Sequence, residues 1–370
     1  MKAKYVFLII SSVVSLSSCS ADEKYSSNTS TIIQRISSTN NSNSSFFLDA
    51  NSTIHACGNN SYNQLGYSST SPQFLPVSTF QHVQDIASGE YHTLILKTDG
   101  SLWAIGNNEY GQLGDGSKSN RTTAVQISTG VKAIAAGKDF SFFIKKDNSL
   151  WAMGKNTFGQ LGNGNTNNQT TPVKIMDNVK AIRASTAHTY ILKTDNTLWA
   201  CGNNASYQLG DGTDAHRNVP KKIASDVSDM SLGNQFSIFL KTDGTVWGVG
   251  FDGAGQLGDG STYTVHNPKQ IATHTNAIAT GFGHTLLLKT DGSVWAAGLN
   301  DFGQLGNGNN SNSGSFIKVL ERCKAIAAGA YHSLVLKEDG SVWSSGSNGS
   351  GQLGAGQGIH DRNVFAILNF

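Results

Sequence analysis

The sequence predicts an all-β protein: a seven-bladed β-propeller of four-stranded antiparallel blades, built on 48-residue repeats. Three observations carry this. Six tryptophans, Trp103, Trp151, Trp199, Trp247, Trp295 and Trp343, follow one another at intervals of 48 residues. The tripeptide Gln-Leu-Gly recurs on the same step, ending at Gly66, Gly114, Gly162, Gly210, Gly258, Gly306 and Gly354, which makes seven copies. Within each copy the apolar residues fall in four short runs separated by Gly, Asn and Asp, and no helical period is sustained. A single four-stranded sheet cannot cover both its faces, whereas sheets arrayed around an axis cover each other. Seven such sheets close into a ring and leave no long free edge.

The elements follow in order along the 370-residue chain. Lys2 and Lys4 precede an apolar stretch from Tyr5 to about Leu16, too short to span a bilayer. With the small residues after it, this has the layout of an export signal, excluded from the fold. The stretch ends Leu16-Ser17-Ser18-Cys19, which is similar to the bacterial lipobox; residues 1–19 are therefore expected to be a lipoprotein-type signal peptide, with Cys19 as the lipidation site. An ordinary signal peptide and secretion are the alternative. Ser20 in place of Asp is similar to the outer-membrane sorting pattern. Residues 20–34, rich in Ser, Asn and Thr, are expected to form a tether, because they offer too little apolar surface to offset the entropy of ordering. The propeller is expected over residues 35–370. In its second unit the strands are Val83 to Ser88, His92 to Lys97, Leu102 to Ile105 and a short run near Ala124 to Ile127. Asp99-Gly100 joins the second and third, since Gly accepts the positive φ of a tight hairpin.

Gly89-Glu90-Tyr91-His92 and Gly106-Asn107-Asn108-Glu109-Tyr110-Gly111-Gln112-Leu113-Gly114, repeated through the chain, resemble the regulator-of-chromosome-condensation repeat. The resemblance covers everything after the tether and implies a seven-bladed propeller. The first repeat departs from it, with Asn41 and Ser44 where Gly and His are expected, so the pattern does not define its inner strand or the ring closure.

Candidate sites are few. The six tryptophans share one phase of one strand and are expected in the inter-blade core. His92, His188, His284 and His332 also share a phase, but Phe140 and Phe236 take the same slot, and residues on separate blades are too far apart for one metal ion. Structural histidines with a satisfied ring nitrogen are expected. Asp115-Gly116, Asp211-Gly212, Asp259-Gly260 and the Asn-Gly pairs at 163–164 and 307–308 are read as turns. No run alternates acidic residues as a calcium loop requires, so no metal is expected. Cys57, Cys201 and Cys323 stand where other repeats carry apolar residues and are expected as core filler. No nucleophile elbow, phosphate-cradling loop or converging arginine set occurs. Hence no catalytic residues and no cofactor are expected.

Antiparallel connectivity places the turns between strands 1–2 and 3–4 on one face and those between 2–3 and 4–1 on the other. The second face carries Lys97/Asp99, Lys193/Asp195, Lys241/Asp243 and Lys289/Asp291, expected to pair locally on a solvated surface. The first face collects aromatic residues: Tyr91, Phe282 and Tyr331 from one loop type, and Tyr62, Tyr110, Phe158 and Phe302 from the other. Aromatics are enriched in protein interfaces. With 27 basic against 25 acidic residues there is no basic footprint for nucleic acid. The expected function is a non-catalytic protein-binding module, monomeric and extracytoplasmic, held at a bacterial membrane, the outer one, by its lipidated N-terminus. What the family resemblance implies as an alternative is guanine-nucleotide exchange on a small GTPase. A propeller acting like the β-lactamase inhibitor protein, or on polysaccharide through the axial funnel, is a further alternative.

Overall fold

The computed structural model describes residues 31–370. Cys19, the export segment and nearly all of the predicted tether lie outside the described residues. The described chain forms seven antiparallel sheets of four strands, each from one contiguous stretch and in simple sequence order. Blade 1 runs from Ile33 to Phe80, blade 2 from Val83 to Ser128, blade 3 from Val131 to Met176 and blade 4 from Val179 to Ala224. Blade 5 runs from Val227 to Ala272, blade 6 from Thr275 to Leu320 and blade 7 from Cys323 to Ile367. Among the described residues there is no helix.

Burial explains the strand order. The first strands line a common axial cavity, with Ile36, Ile86, Ile134, Ala184, Ser231, Ile278 and Ile326 facing it. The second strands are covered on both faces, so His92–Lys97 is buried at every residue but the last. A strand sandwiched this way has no polar face and reads as a nearly continuous apolar run. The fourth strands form the rim and bury no residue fully, as in Arg121–Ser128.

Blade 1 departs from the strict 48-residue step. Ile33 pairs with Asp49, and Arg35 with Leu48, whereas in blade 2 Val83 pairs with Lys97 and Asp85 with Leu96. Position 33 thus corresponds to 83, an offset of 50, and blade 1 carries two extra residues between its first and second strands. Thr39, rather than Asn41, stands in the glycine slot, and the first strand begins at Ile33. The ring closes without exchanging a strand. Ile33, Ile36 and Phe47 pack with Ala327, Leu334 and Leu336 of blade 7, and the Ala330 amide donates to the Ser42 carbonyl at 3.0 Å.

A repeated polar seam joins the second strands of neighbouring blades. His92 Nε2 lies 2.8 Å from Ser141 Oγ, His188 Nε2 2.9 Å from Ser237 Oγ, and His284 Nε2 3.0 Å from Ser333 Oγ. His332 Nε2 lies 2.9 Å from Ser45 Oγ and so spans the closure. Ser45, Ser237 and Ser333 donate their hydroxyls to the backbone carbonyls of Gln352, Gln208 and Gln304. The imidazoles of His332, His188 and His284 must therefore donate their Nε2–H, which leaves Nδ1 their unprotonated nitrogen. All four Nδ1 atoms are buried without a partner, so the expected satisfaction of the ring extends to one nitrogen only. Burial pulls all four imidazoles down to about 3. Where the slot holds Phe140, Phe236 or Ser44, the facing residue one blade on is Thr189, Thr285 or Thr93 instead of serine. Thr189 and Thr285 still bond the carbonyls of Gln160 and Gln256.

The glycine three residues before His92, His284 and His332 answers the same packing, whereas His188 has Ser185 there. A Cβ on Gly89 would sit 2.2 Å from His92 Cε1 and 2.5 Å from the Gly137 carbonyl oxygen. Among the described residues the cysteines Cys57, Cys201 and Cys323 are buried and free, and burial pushes the Cys201 thiol up to about 12.

Two expectations are corrected. The tryptophans are only half-buried: each wedges against the core at the second face and donates its Nε1–H to a turn hydroxyl, as Trp103 does to Ser101 at 2.9 Å. The lysines there do not pair with the neighbouring aspartates. Lys97, Lys193 and Lys241 lie over Trp103, Trp199 and Trp247 at 5.2, 5.6 and 4.6 Å from the ring centroid, while Lys289 bonds the Thr273 carbonyl. The aspartates instead cap the turn, with Asp99 Oδ1 accepting the Ser101 amide at 2.8 Å.

Candidate functional site: the aromatic loop face

The loops of the first face are clasped by their own side chains. In blade 2, Gln112 Oε1 accepts the Tyr110 amide at 2.9 Å and Gln112 Nε2 bonds Asn107 Oδ1 at 2.6 Å. Asn108 Oδ1 accepts the Leu113 amide at 3.0 Å, and Asn108 Nδ2 donates to Asp115 Oδ1 and to the carbonyls of Ser117 and Ser119 at 3.0–3.2 Å. This is the physical content of the Asn-x-aromatic-Gly-Gln-Leu-Gly signature: one buried amide nails a long loop to its own base. Asp115 Oδ1 accepts the Ser117 amide at 3.0 Å, which is the turn role expected for the Asp-Gly pairs.

Nearer the axis the loops between first and second strands form a hydrogen-bonded collar. Glu90 N donates to Lys138 O, Lys138 N to Ser185 O, Asn234 N to Phe282 O and Phe282 N to Ala330 O, at 3.0–3.2 Å. The two extra residues of blade 1 let its loop cross the collar. Asn40, buried, donates from Nδ2 to Ser185 Oγ at 2.8 Å, and Thr186 Oγ1 donates to Asn41 Oδ1 at 2.8 Å. Blade 1 is thereby tied directly to blade 4.

On this scaffold the predicted aromatics divide. Phe282, Tyr331 and Phe302 form one cluster, with Tyr331 5.4 Å from Phe282 and 5.3 Å from Phe302 between ring centroids. Tyr62 and Tyr91 form a second pair at 5.0 Å. In both, an aromatic from a blade's 3–4 loop leans on an aromatic from the next blade's 1–2 loop. Tyr110 and Phe158 join neither group: Lys155 lies over Tyr110 at 4.5 Å, and His216 meets Phe158 edge-on at 5.1 Å. Of the seven, Phe302 alone is in the exposed class, at 36 %. The sequence reading missed Phe251 and Tyr263 on the same face, exposed by 41 % and 82 %. Phe251 stands where the other repeats carry Asn59, Asn107, Lys155, Asn203, Leu299 and Ser347, and an aromatic in that slot was the available signal.

The axial cavity, about 380 Å³, was also missed as a charged site. Beside its alanine and isoleucine walls stand Arg35 and Asp85, 3.2 Å apart, and Arg183 and Asp229, 3.5 Å apart. Asp85 and Asp229 occupy one slot of the repeat, where blades 3, 4, 6 and 7 carry Ala133, Ala181, Ala277 and Ala325. That contrast was legible in the sequence. Arg35 was not, because the offset of 50 hides its place in the same slot.

A closed ring of contiguous four-stranded blades, with Gln-clasped loops and a His–Ser seam, defines a propeller class distinct in its details from strand-sharing rings. The sequence profile of the RCC1-like domain matches residues 15–277, and that of the RCC1 repeat matches residues 276–304 and 323–352, and 291–336. The chain belongs to the RCC1-like propeller family. It is similar in fold to Prp20p from Saccharomyces cerevisiae, at 21 % identity and a TM-score of 0.77 over 86 % of each chain. A second structure of yeast RCC1 (Prp20) gives 20 % identity and a TM-score of 0.78 over 96 % of this chain and 91 % of that one. Human WBSCR16 gives 21 % and 0.72 over 82 % and 86 %. No curated protein matches the chain.

Proposed function

We propose that the protein is a non-catalytic interaction module that docks a protein partner through its aromatic loop face. The observation that carries this reading is the Phe282–Tyr331–Phe302 cluster, set on a hydrogen-bonded collar. Aromatic side chains on a pre-ordered backbone give large contact area for little lost entropy, which is the character of interface hot spots. The fold relatives fit this reading. Prp20p is described by its binding to Gsp1p and histones, and yeast RCC1 (Prp20) is known in complex with Kap60. The axial carboxylates Asp85 and Asp229 each sit beside an arginine, an arrangement that suits a lining more than an acid–base pair. The reading further places the disc outside the cytoplasm, monomeric, without cofactor, on a membrane anchor at Cys19.

Guanine-nucleotide exchange is the alternative carried by the family. Against it, the two-residue insertion of blade 1 turns inward to Ser185 and Thr186 and does not project as a wedge. The test is affinity capture from envelope and host extracts with the wild-type protein and with a Phe282→Ala/Tyr331→Ala/Phe302→Ala variant. Loss of the captured protein by tenfold or more is expected for the variant. Equal capture by both removes this face from consideration, and stimulated release of fluorescent GDP from a small GTPase replaces the reading with exchange.

A further inference from the structure

Six of the seven repeats bury an asparagine at the base of the 3–4 loop: Asn60, Asn108, Asn156, Asn204, Asn300 and Asn348. In each, Oδ1 accepts the amide of the leucine five residues on, at 2.8–3.0 Å. In blades 2, 3, 4 and 6 Nδ2 donates to three acceptors: the Asp or Asn seven residues on, and the carbonyls nine and eleven residues on. The nest around that nitrogen is made of oxygens alone.

Blade 5 places Asp252 in this slot. Its Oδ1 accepts the Leu257 amide at 2.8 Å, so the carboxylate is oriented as the amides are, and Oδ2 takes the position of the missing NH2. Asp252 is wholly buried, and Oδ2 has no hydrogen-bond partner. The loop keeps its form, since Asp259 Oδ1 accepts the Ser261 amide at 2.9 Å as Asp115 Oδ1 accepts that of Ser117. By the repeat, the oxygens facing Oδ2 are Asp259 Oδ1 and the carbonyls of Ser261 and Tyr263. On that mapping Oδ2 meets acceptors only, in keeping with its having no hydrogen-bond partner.

The local charge is unbalanced in the same sense. Asp115 in blade 2 and Asp211 in blade 4 are met by Arg121 and Arg217. Blade 5 has Val265 at that position. Only Lys269 remains, 2.7 Å from Asp259 Oδ2, so two carboxylates share one ammonium. Among the described residues no three His, Cys, Asp or Glu side chains converge as a metal site, so carbonyls must supply the remaining ligands.

We propose that blade 5 binds a hard, oxygen-seeking divalent cation of the Ca²⁺ class through Asp252, Asp259 and the carbonyls of Ser261 and Tyr263. Such ions take carboxylate and carbonyl oxygens together in flexible geometry, with the sixth and further ligands often water. Tyr263, at 82 % exposure, leaves the nest a route to solvent. The ion would fasten the loop as the amide nitrogen does elsewhere, and it makes one loop of seven dependent on its medium.

The test uses the mature protein stripped with chelator. Thermal unfolding is followed at pH 7.5 from zero to 10 mM Ca²⁺, with calorimetric titration alongside. An affinity in the range of extracellular sites, about 10⁻⁴–10⁻³ M, gives one binding event and a rise of several degrees in Tm. Asp252→Asn restores the amide of the sister repeats. It should unfold at or above the wild-type temperature in chelator and show no response to Ca²⁺. A wild-type Tm indifferent to Ca²⁺ overturns the proposal and makes a proton the occupant, with Asp252 donating to the nest as a neutral acid. An equal Ca²⁺ response in Asp252→Asn also overturns it, by placing the ion elsewhere.

Discussion

Acidification should act on the propeller mainly through its four buried histidines. Each is fully buried, and its imidazole is held down to about 3, against about 6.5 for an unfolded chain. Between those values the unfolded chain binds protons that the native ring refuses, so stability is intact above pH 6.5 and falls as the pH drops toward 3. At pH 5 the loss is RT ln(1 + 10^1.5), about 2 kcal/mol per histidine and about 8 kcal/mol for four, the size of a whole domain's stability. The protein supplies its own control. Blades 3 and 5 replace the seam by Phe140 facing Thr189 and Phe236 facing Thr285. The double variant His92→Phe/Ser141→Thr copies that solution into blade 2. Urea unfolding of wild type and variant, followed by tryptophan fluorescence at pH 7.5 and pH 5, should show the acid-induced loss reduced by about 2 kcal/mol in the variant. Comparing the two proteins cancels groups of opposite sign. Among these is Asp252, which burial pushes up to about 7 and which, without a cation, stabilises the fold as the pH falls. An unchanged acid loss would refute the argument that the seam imidazoles are held neutral by burial.

Further outcomes follow from the same packing. Gly89→Ala drives a methyl into His92 and the Gly137 carbonyl and should cost about 3 kcal/mol by overpacking, read from denaturant midpoints. Asn156→Ala strips the Leu161 amide and the carbonyls of Asn165 and Asn167 of their partner; a loss of about 2–3 kcal/mol is expected, with faster hydrogen exchange confined to residues 155–168. Asn40→Ala removes one of the two side-chain bonds between blades 1 and 4 and should cost about 1–2 kcal/mol. Native protein should react with a thiol reagent at none of Cys57, Cys201 and Cys323, each buried with its thiol pushed up, and at all three once unfolded.

Periodicity along the chain determined much of this protein. Trp103 recurring at 48-residue steps to Trp343, seven Gln-Leu-Gly clasps and the Asp-Gly turns settle the blade count and strand order, because each is a local requirement of one sheet repeated on one step. The face that collects Phe282, Phe302 and Tyr331 is also legible, since antiparallel connectivity fixes which turns share a rim. Other features depend on which atoms the ring's curvature brings together. Half-burial of the tryptophans depends on packing against the core between blades, and the position of Lys97 over Trp103 on how the hairpin they share is twisted. The offset of 50 in blade 1 emerges only from strand pairing, and with it the reach of Asn40 to Ser185, 145 residues away. Asp252 differs from its asparagine counterparts by a single atom, and a sequence scan passes over it. Only the folded loop, which buries Oδ2 without a hydrogen-bond partner, turns that atom into an unmet need.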